Sequence, residues 1–206
     1  MATAEAAVCN VALLRIGQTQ FIESLNDPTN IGKVCKASFL FSRDQLLQAR
    51  PWPFATLRQT LAVLADDEDD DEARSGWAFT YALPSDCIAP RYLWAGVDNP
   101  SKEEVVPFRI ESSRDLQARV LLSNLEDAEL IYTARVTEVS RWDPLFSEAL
   151  AMKVASDLAF GIAKKPALGA ELLKGYYLTL GIAHASAANQ NTQSTQPLSE
   201  FELGRR

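Results

Sequence analysis

The stretch "ARPWPFATLR", Ala49–Arg58, sets two prolines, a tryptophan and a phenylalanine directly behind a run with helical spacing, and its reading decides the fold. Proline-aromatic clusters dock partners, but proline also ends helices, and a tryptophan beside it is often the plug of a core. The flanks favour the second sense. Upstream the apolar period is helical, whereas downstream as far as Val136 it is twofold. The stretch is therefore expected to be a joint. Pro51 stops a helix, Pro53 keeps the next step extended, and Trp52 and Phe54 fill the seam between a helical part and a sheet.

Working upstream, Thr3 to Ile16 carries Ala4, Ala7, Val8, Val11 and Leu14 at helical spacing, with Gly17 as a stop. A second helix is predicted from Asp27, as cap, with Pro28 in the first helical position and Ile31, Val34, Cys35, Ser38 and Phe41 on one stripe. Downstream, Trp77, Phe79, Tyr81 and Leu83 alternate with smaller or polar residues, and "VVPFRIE", "LQARVLL" and "ELIYTARV" read as further strands. "ATLRQTLAVLA", Ala55–Ala65, fits either period and is assigned to strand. Helical spacing returns at Asp143-Pro144, with Phe146, Ala149, Leu150, Val154 and Leu158 on one side, and stops at Lys165-Pro166. A last helix over about 167–187 contains Gly169, Gly175 and Gly181, each costing roughly 1 kcal/mol against Ala. It has to be held by its neighbours.

The expected fold class is α+β: a bundle of about four helices, two N-terminal and two C-terminal, with an inserted antiparallel β-sheet layer of four to six strands. Residues 1–50 and 140–188 form the helical domain, 51–139 the inserted β domain, and 189–206 an extended, flexible C-terminal tail. That tail is polar until Leu198, Phe201 and Leu203, which precede Arg205 and Arg206. It has too little apolar surface to offset the entropy of ordering it alone, and suits a segment that folds on a partner.

Composition narrows the function. With 206 residues, 47% hydrophobic and 23% charged, this is ordinary globular material. A net charge of -7 disfavours a sequence-independent grip on nucleic acid, which needs clustered cations. Cys9, Cys35 and Cys87 show no zinc or disulfide-scaffold spacing, no secretory leader or membrane span is predicted, and no phosphate-cradling glycine motif occurs. The single histidine, His184, rules out a site built on several imidazoles. Cys87 sits beside Asp86, whose charge would raise the thiol pKa, so it reads as a structural thiol. Seven consecutive acidic residues, Asp66 to Glu72, lack the glycine and ligand spacing of an EF-hand and read as a solvated loop. Tyr176-Tyr177 and the tryptophans have no basic groove for stacking bases, so they are assigned to packing. No cofactor, metal or catalytic residue is expected.

The order of the blocks carries a resemblance. "CNVALLRIG" (Cys9–Gly17), "IESLNDPTNIGKVC" (Ile22–Cys35), "RDQLLQARPWPFATLRQTLA" (Arg43–Ala62), "WAFTYALPSDC" (Trp77–Cys87) and "YTARVTEVSRWDPLFSEALAMKVASDLA" (Tyr132–Ala159) together resemble the phage tail tubular protein A family. These are the head-to-tail adaptors of short-tailed bacteriophages. The resemblance implies a virion component of the tail or neck, with no enzymatic task, in a homo-oligomeric ring, commonly of twelve subunits, between portal protein and tail nozzle protein. DNA would pass through the lumen without specific binding, tail fibres could be seated on the ring, and the C-terminal segment would reach the portal. Leu198, Phe201, Leu203, Arg205 and Arg206 then become the portal-contact candidates, though the acidic run has no place in the family pattern. Two other classes stand beside it: a neck or head-completion protein of a long-tailed phage, and a tail-associated cell-wall hydrolase. The latter would need Asp86 and Glu138 to meet in a cleft.

Overall fold

The computed structural model describes residues 2–64, 76–96, 104–113 and 117–191. Four α-helices, α1 (Ala4–Arg15), α2 (Asn30–Ala49), α3 (Pro144–Gly161) and α4 (Pro166–Asn191), enclose in chain order six strands. These are β1 (Thr56–Thr60), β2 (Phe79–Ala82), β3 (Cys87–Trp94), β4 (Phe108–Ser112), β5 (Arg119–Ser123) and β6 (Glu129–Ala134). The class is α+β with an inserted antiparallel layer, as the sequence predicts. The layer is two three-stranded sheets, ordered β1-β6-β3 and β2-β5-β4. Residues from both enter one buried cluster that includes Tyr81, Cys87, Leu93, Leu121, Leu130 and Tyr132. Residues 56–64 of "ATLRQTLAVLA" are extended and link the sheets: Leu57 pairs with Tyr132 in the first, while Val63 bridges to Tyr81 in the second.

Each helix begins and ends for a local reason. Thr3 Oγ1 accepts from the Ala6 amide at 3.3 Å to start α1, and Gly17, at φ +80°, ends it. The start of α2 differs from the expected one. Thr29, not Asp27, is the cap, its Oγ1 accepting from the Gly32 amide at 3.1 Å, and Pro28 lies outside the helix. Asp27 instead accepts from the Thr29 amide at 2.9 Å, an Asx turn that competes with the cap role. Gly32 is required there, since a Cβ would lie 2.5 Å from the Asp27 carbonyl oxygen. Asn10 ties the intervening segment down, its side-chain amide exchanging two 2.9 Å hydrogen bonds with the backbone of Ile22.

The core stripe of α1 is also in a different phase from the predicted one. In α1 the buried residues are Ala6, Val8, Cys9, Ala12 and Leu13, while Ala4, Ala7, Val11 and Leu14 face outward. In α2 the predicted stripe faces the core at Ile31, Val34, Cys35 and Ser38, and only its last member departs, Phe41 being exposed where Phe39 is buried. Helix α1 is apolar on more than one face, so period alone leaves its rotation open. For α3 the predicted side, Phe146, Ala149, Leu150, Val154 and Leu158, is the buried one.

Helix α3 is the axis of the bundle. It meets α1 through Glu148, whose two carboxylate oxygens both accept from Arg15 Nη2, at 2.6 and 2.7 Å. Asp157 turns to α2, accepting from Ser38 at 2.8 Å. Met152, Ser156 and Phe160 face α4, where a Cβ on Gly169 would come 2.7 Å from the Phe160 ring and one on Gly175 would come 2.8 Å from Met152 Sδ. Two of the three glycines thus lie where α4 runs closest to α3, which answers how a glycine-weakened helix is held. At about 100° per residue, Glu148 stands roughly 80° and Asp157 roughly 100° around α3 from Ser156, the middle of the α4 face.

Candidate functional site

The stretch Pro51-Trp52-Pro53-Phe54 lies at the joint between helices and sheet. The chain leaves α2 at Arg50, turns through Pro53–Ala55 as a single 3-10 turn, and enters β1. Pro53 therefore opens a turn and does not prolong an extended step, because its fixed φ suits the first position of such a turn. Trp52 is 2% exposed, its indole N–H donating to the Leu46 carbonyl at 2.8 Å and its ring meeting Phe146 edge-on at 5.0 Å. Phe54 packs on the same Phe146 at 5.1 Å.

A second joint, not singled out from the sequence, repeats the first. Where the chain returns from β6 to α3, Trp142 is buried, its indole N–H donates to the Val136 carbonyl at 3.0 Å, and its ring meets Phe146 at 5.1 Å. In both joints the acceptor lies six residues before the tryptophan. The signal was present as "RWDPLF", an aromatic just ahead of a proline that begins a helix, beside "RPWPFA". Polar contacts add to the seam: Arg91 of β3 donates to the Leu47 and Gln48 carbonyls at 3.3 and 3.1 Å, at the negative end of α2. Arg135 reaches Asp44 at 3.1 Å.

The groups weighed for chemistry fall apart in space. His184 is exposed on α4, and Cys87 is buried, its thiol pushed up chiefly by burial, with Arg119 opposing and Asp86 adding to the rise. Cys9 and Cys35 meet between α1 and α2 as buried free thiols, and sharing a proton with Cys35, then burial, push the Cys9 thiol well above the usual range. Among the described residues no group of three or more His, Cys, Asp or Glu could hold a metal ion, and no helix is long and apolar enough to cross a membrane. The acidic run Asp66 to Glu72, and the portal-contact candidates Leu198, Phe201, Leu203, Arg205 and Arg206, lie outside the described residues.

Asp86 and Glu138 line one cavity of about 170 Å³, together with Leu57, Arg135 and Arg141. Tyr132 donates to Asp86 Oδ1 at 3.2 Å, and burial first, then the Asp86 charge, pushes its hydroxyl up to about 12. The space is well under the ~300 Å³ at which small-molecule sites begin. It has room for a few waters and not for a glycan.

A larger recess lies between α1 and the start of α3. It measures about 450 Å³ and is lined by Ala4, Ala7, Val8, Val11, Val139, Pro144 and Ala151, with Ser147 and Glu148 at its edge. The outward stripe of α1 forms one wall. On α4, Tyr177, Leu178 and Ile182 are 63, 72 and 62% exposed, and a Cβ on Gly181 between them would meet nothing within 4 Å. These are apolar surfaces of the kind that mark interfaces. Comparison with protein-family models and with curated proteins finds no match to this sequence.

Proposed function

We propose that this chain is a structural virion protein, a head-to-tail adaptor that forms a ring of about twelve copies between portal and tail nozzle, around a channel through which DNA passes. It works without catalysis, cofactor or metal, and its C-terminal residues Leu198, Phe201 and Leu203 dock on the portal, with Arg205 and Arg206 beside them.

The observation that carries the reading is the pair of uncovered apolar helix faces, the α1–α3 recess and the α4 ridge, on a chain that resembles adaptors block by block. The blocks that carry the resemblance fall on the frame: α1, the capped start of α2, the Trp52 joint, the approach to β3, and Trp142 with α3. They are positions that fix how the helical part meets the sheet, which is what an assembly module must hold constant. The charge of -7 suits a lumen that DNA must traverse without sticking, since like charge repels within a Debye length of about 8 Å.

Deleting residues 190–206 tests the reading. The truncated protein should keep the wild-type melting temperature and fail to co-sediment with portal-bearing heads that retain the full chain. Equal retention of both would remove the portal role.

A further inference from the structure

The two uncovered faces differ in shape. The recess on α1 and α3 is concave and walled by small side chains, Ala4, Ala7, Val11 and Ala151, whereas the α4 face is a ridge of Tyr177, Leu178 and Ile182. Neither is complementary to itself, but each is complementary to the other. We propose that they are two halves of one head-to-tail contact, in which the α4 ridge of one copy inserts into the α1–α3 recess of the next.

Three observations point to a second copy as the occupant. At the stated exposures the ridge presents on the order of 400 Å² of apolar surface, the size of the largest patch on a typical monomer, which is often functional. A stable interface buries ~800 Å² per partner, somewhat over half of it apolar, so the ridge is of the right size for one. Charge agrees as well: Glu5, in the first turn of α1 beside the recess, and Lys174, one turn before Leu178 on the ridge, have no ion-pair partner among the described residues. The faces also sit on different flanks of α3, because the recess runs along Pro144, Ser147, Glu148 and Ala151 whereas α4 packs on Met152, Ser156 and Phe160. A contact between two different patches propagates from copy to copy and closes into a ring when its rotation permits. The inference rests on the adaptor reading only in needing a second copy.

The test uses the full chain in sedimentation velocity, from about 1 μM to about 1 mM. The wild-type protein should self-associate. Leu178→Asp removes the ridge and leaves the recess, and Val11→Asp blocks the recess and leaves the ridge. Each should weaken association roughly 30-fold or more, as for a buried interface anchor. Both positions are exposed, so circular dichroism and melting should match the wild type, and Ala7→Trp is a second recess block if Val11→Asp disturbs α1. Mixed one to one, the ridge-less and recess-less variants keep one good contact and should form a discrete heterodimer.

A wild-type protein that is monomeric throughout the range overturns the proposal, as does a mixture of folded variants that stays monomeric. Loss of association on deleting residues 192–206 alone would make the C-terminal segment the occupant and overturn it too. Portal attachment that survives both substitutions with self-association unchanged sinks this contact and spares the adaptor reading. Complementing heterodimers from a chain that never attaches to portals do the reverse.

Discussion

Replacing Trp52 with alanine should cost about 4–5 kcal/mol of stability. Truncating a buried aromatic ring costs roughly 3–5 kcal/mol through lost transfer energy and the cavity left behind. Trp52 belongs at the upper end, because it is 2% exposed and meets Phe146 edge-on at 5.0 Å and Phe54 at 6.0 Å. Its indole N–H bond to Leu46, 2.8 Å long, adds about 1 kcal/mol. Against a total of about 5–15 kcal/mol, that loss is large. With a urea slope of about 2 kcal/mol/M, the midpoint followed by far-UV circular dichroism should fall by about 2 M. Trp52→Phe keeps a ring and drops the donor, so it should lose roughly a third as much. Trp142→Ala should resemble Trp52→Ala, and the double variant should lose less than the sum, since both rings lean on Phe146. A Trp52→Ala protein within about 0.3 M of the wild-type midpoint, a small fraction of the expected shift, would refute the joint. If it had also lost one partner, "ARPWPFATLR" would be a binding surface after all.

Two glycines should respond in opposite directions. Gly32→Ala drives a methyl onto the Asp27 backbone at 2.5 Å and should destabilise by about 1–3 kcal/mol. Gly181→Ala meets nothing and should stabilise α4 by about 0.5–1 kcal/mol; thermal melts of the pair, reversed in order, would discredit the packing at the α2 start. Tyr132 should give an alkaline signature. Its folded pKa, about 12, lies above the unfolded value near 10, so the neutral hydroxyl's contribution is full below pH 10 and is lost as pH rises through 12. Across that window the loss should approach about 2–3 kcal/mol. A Tyr132→Phe variant should lose stability less steeply there, and identical alkaline urea profiles for the two would show that the hydroxyl is not held neutral by the fold.

How far the sequence reached depended on whether a local rule had a competitor. Asp143-Pro144 marked the α3 start because the proline fits only the first helical turn, and Phe146, Ala149, Leu150, Val154 and Leu158 defined one side. At Asp27-Pro28 the same pattern misled, since the aspartate is occupied by its own Asx turn and Thr29 takes the cap. Strand β3 went unread because Pro90 sits within it. It lies at a sheet edge, and its register shifts between Pro90 and Tyr92, which is where a ladder tolerates a missing donor. The cavity shared by Asp86 and Glu138 was beyond reach, because it depends on how the end of β6 folds back beside the turn before β3.

The misassigned stripe of α1 bears on function more than on fold. Ala4, Ala7, Val11 and Leu14 do form an apolar line at helical spacing, and a rule tuned to single chains assigns such a line to the chain's own core. The core of α1 is instead made from Ala6, Cys9, Ala12 and Leu13, leaving a second apolar face that the described residues do not cover. A helix apolar on both faces is usual where it is buried on both. On α4 the same disparity recurs, with Ala183 buried while Leu178 and Ile182 stand in solvent. Two helices on separate flanks of one axis helix, each carrying an apolar face in excess of what the monomer covers, are what a subunit with two different neighbours would need. The period in the sequence was therefore sound, and under the head-to-tail contact proposed above it describes the burial of an assembly.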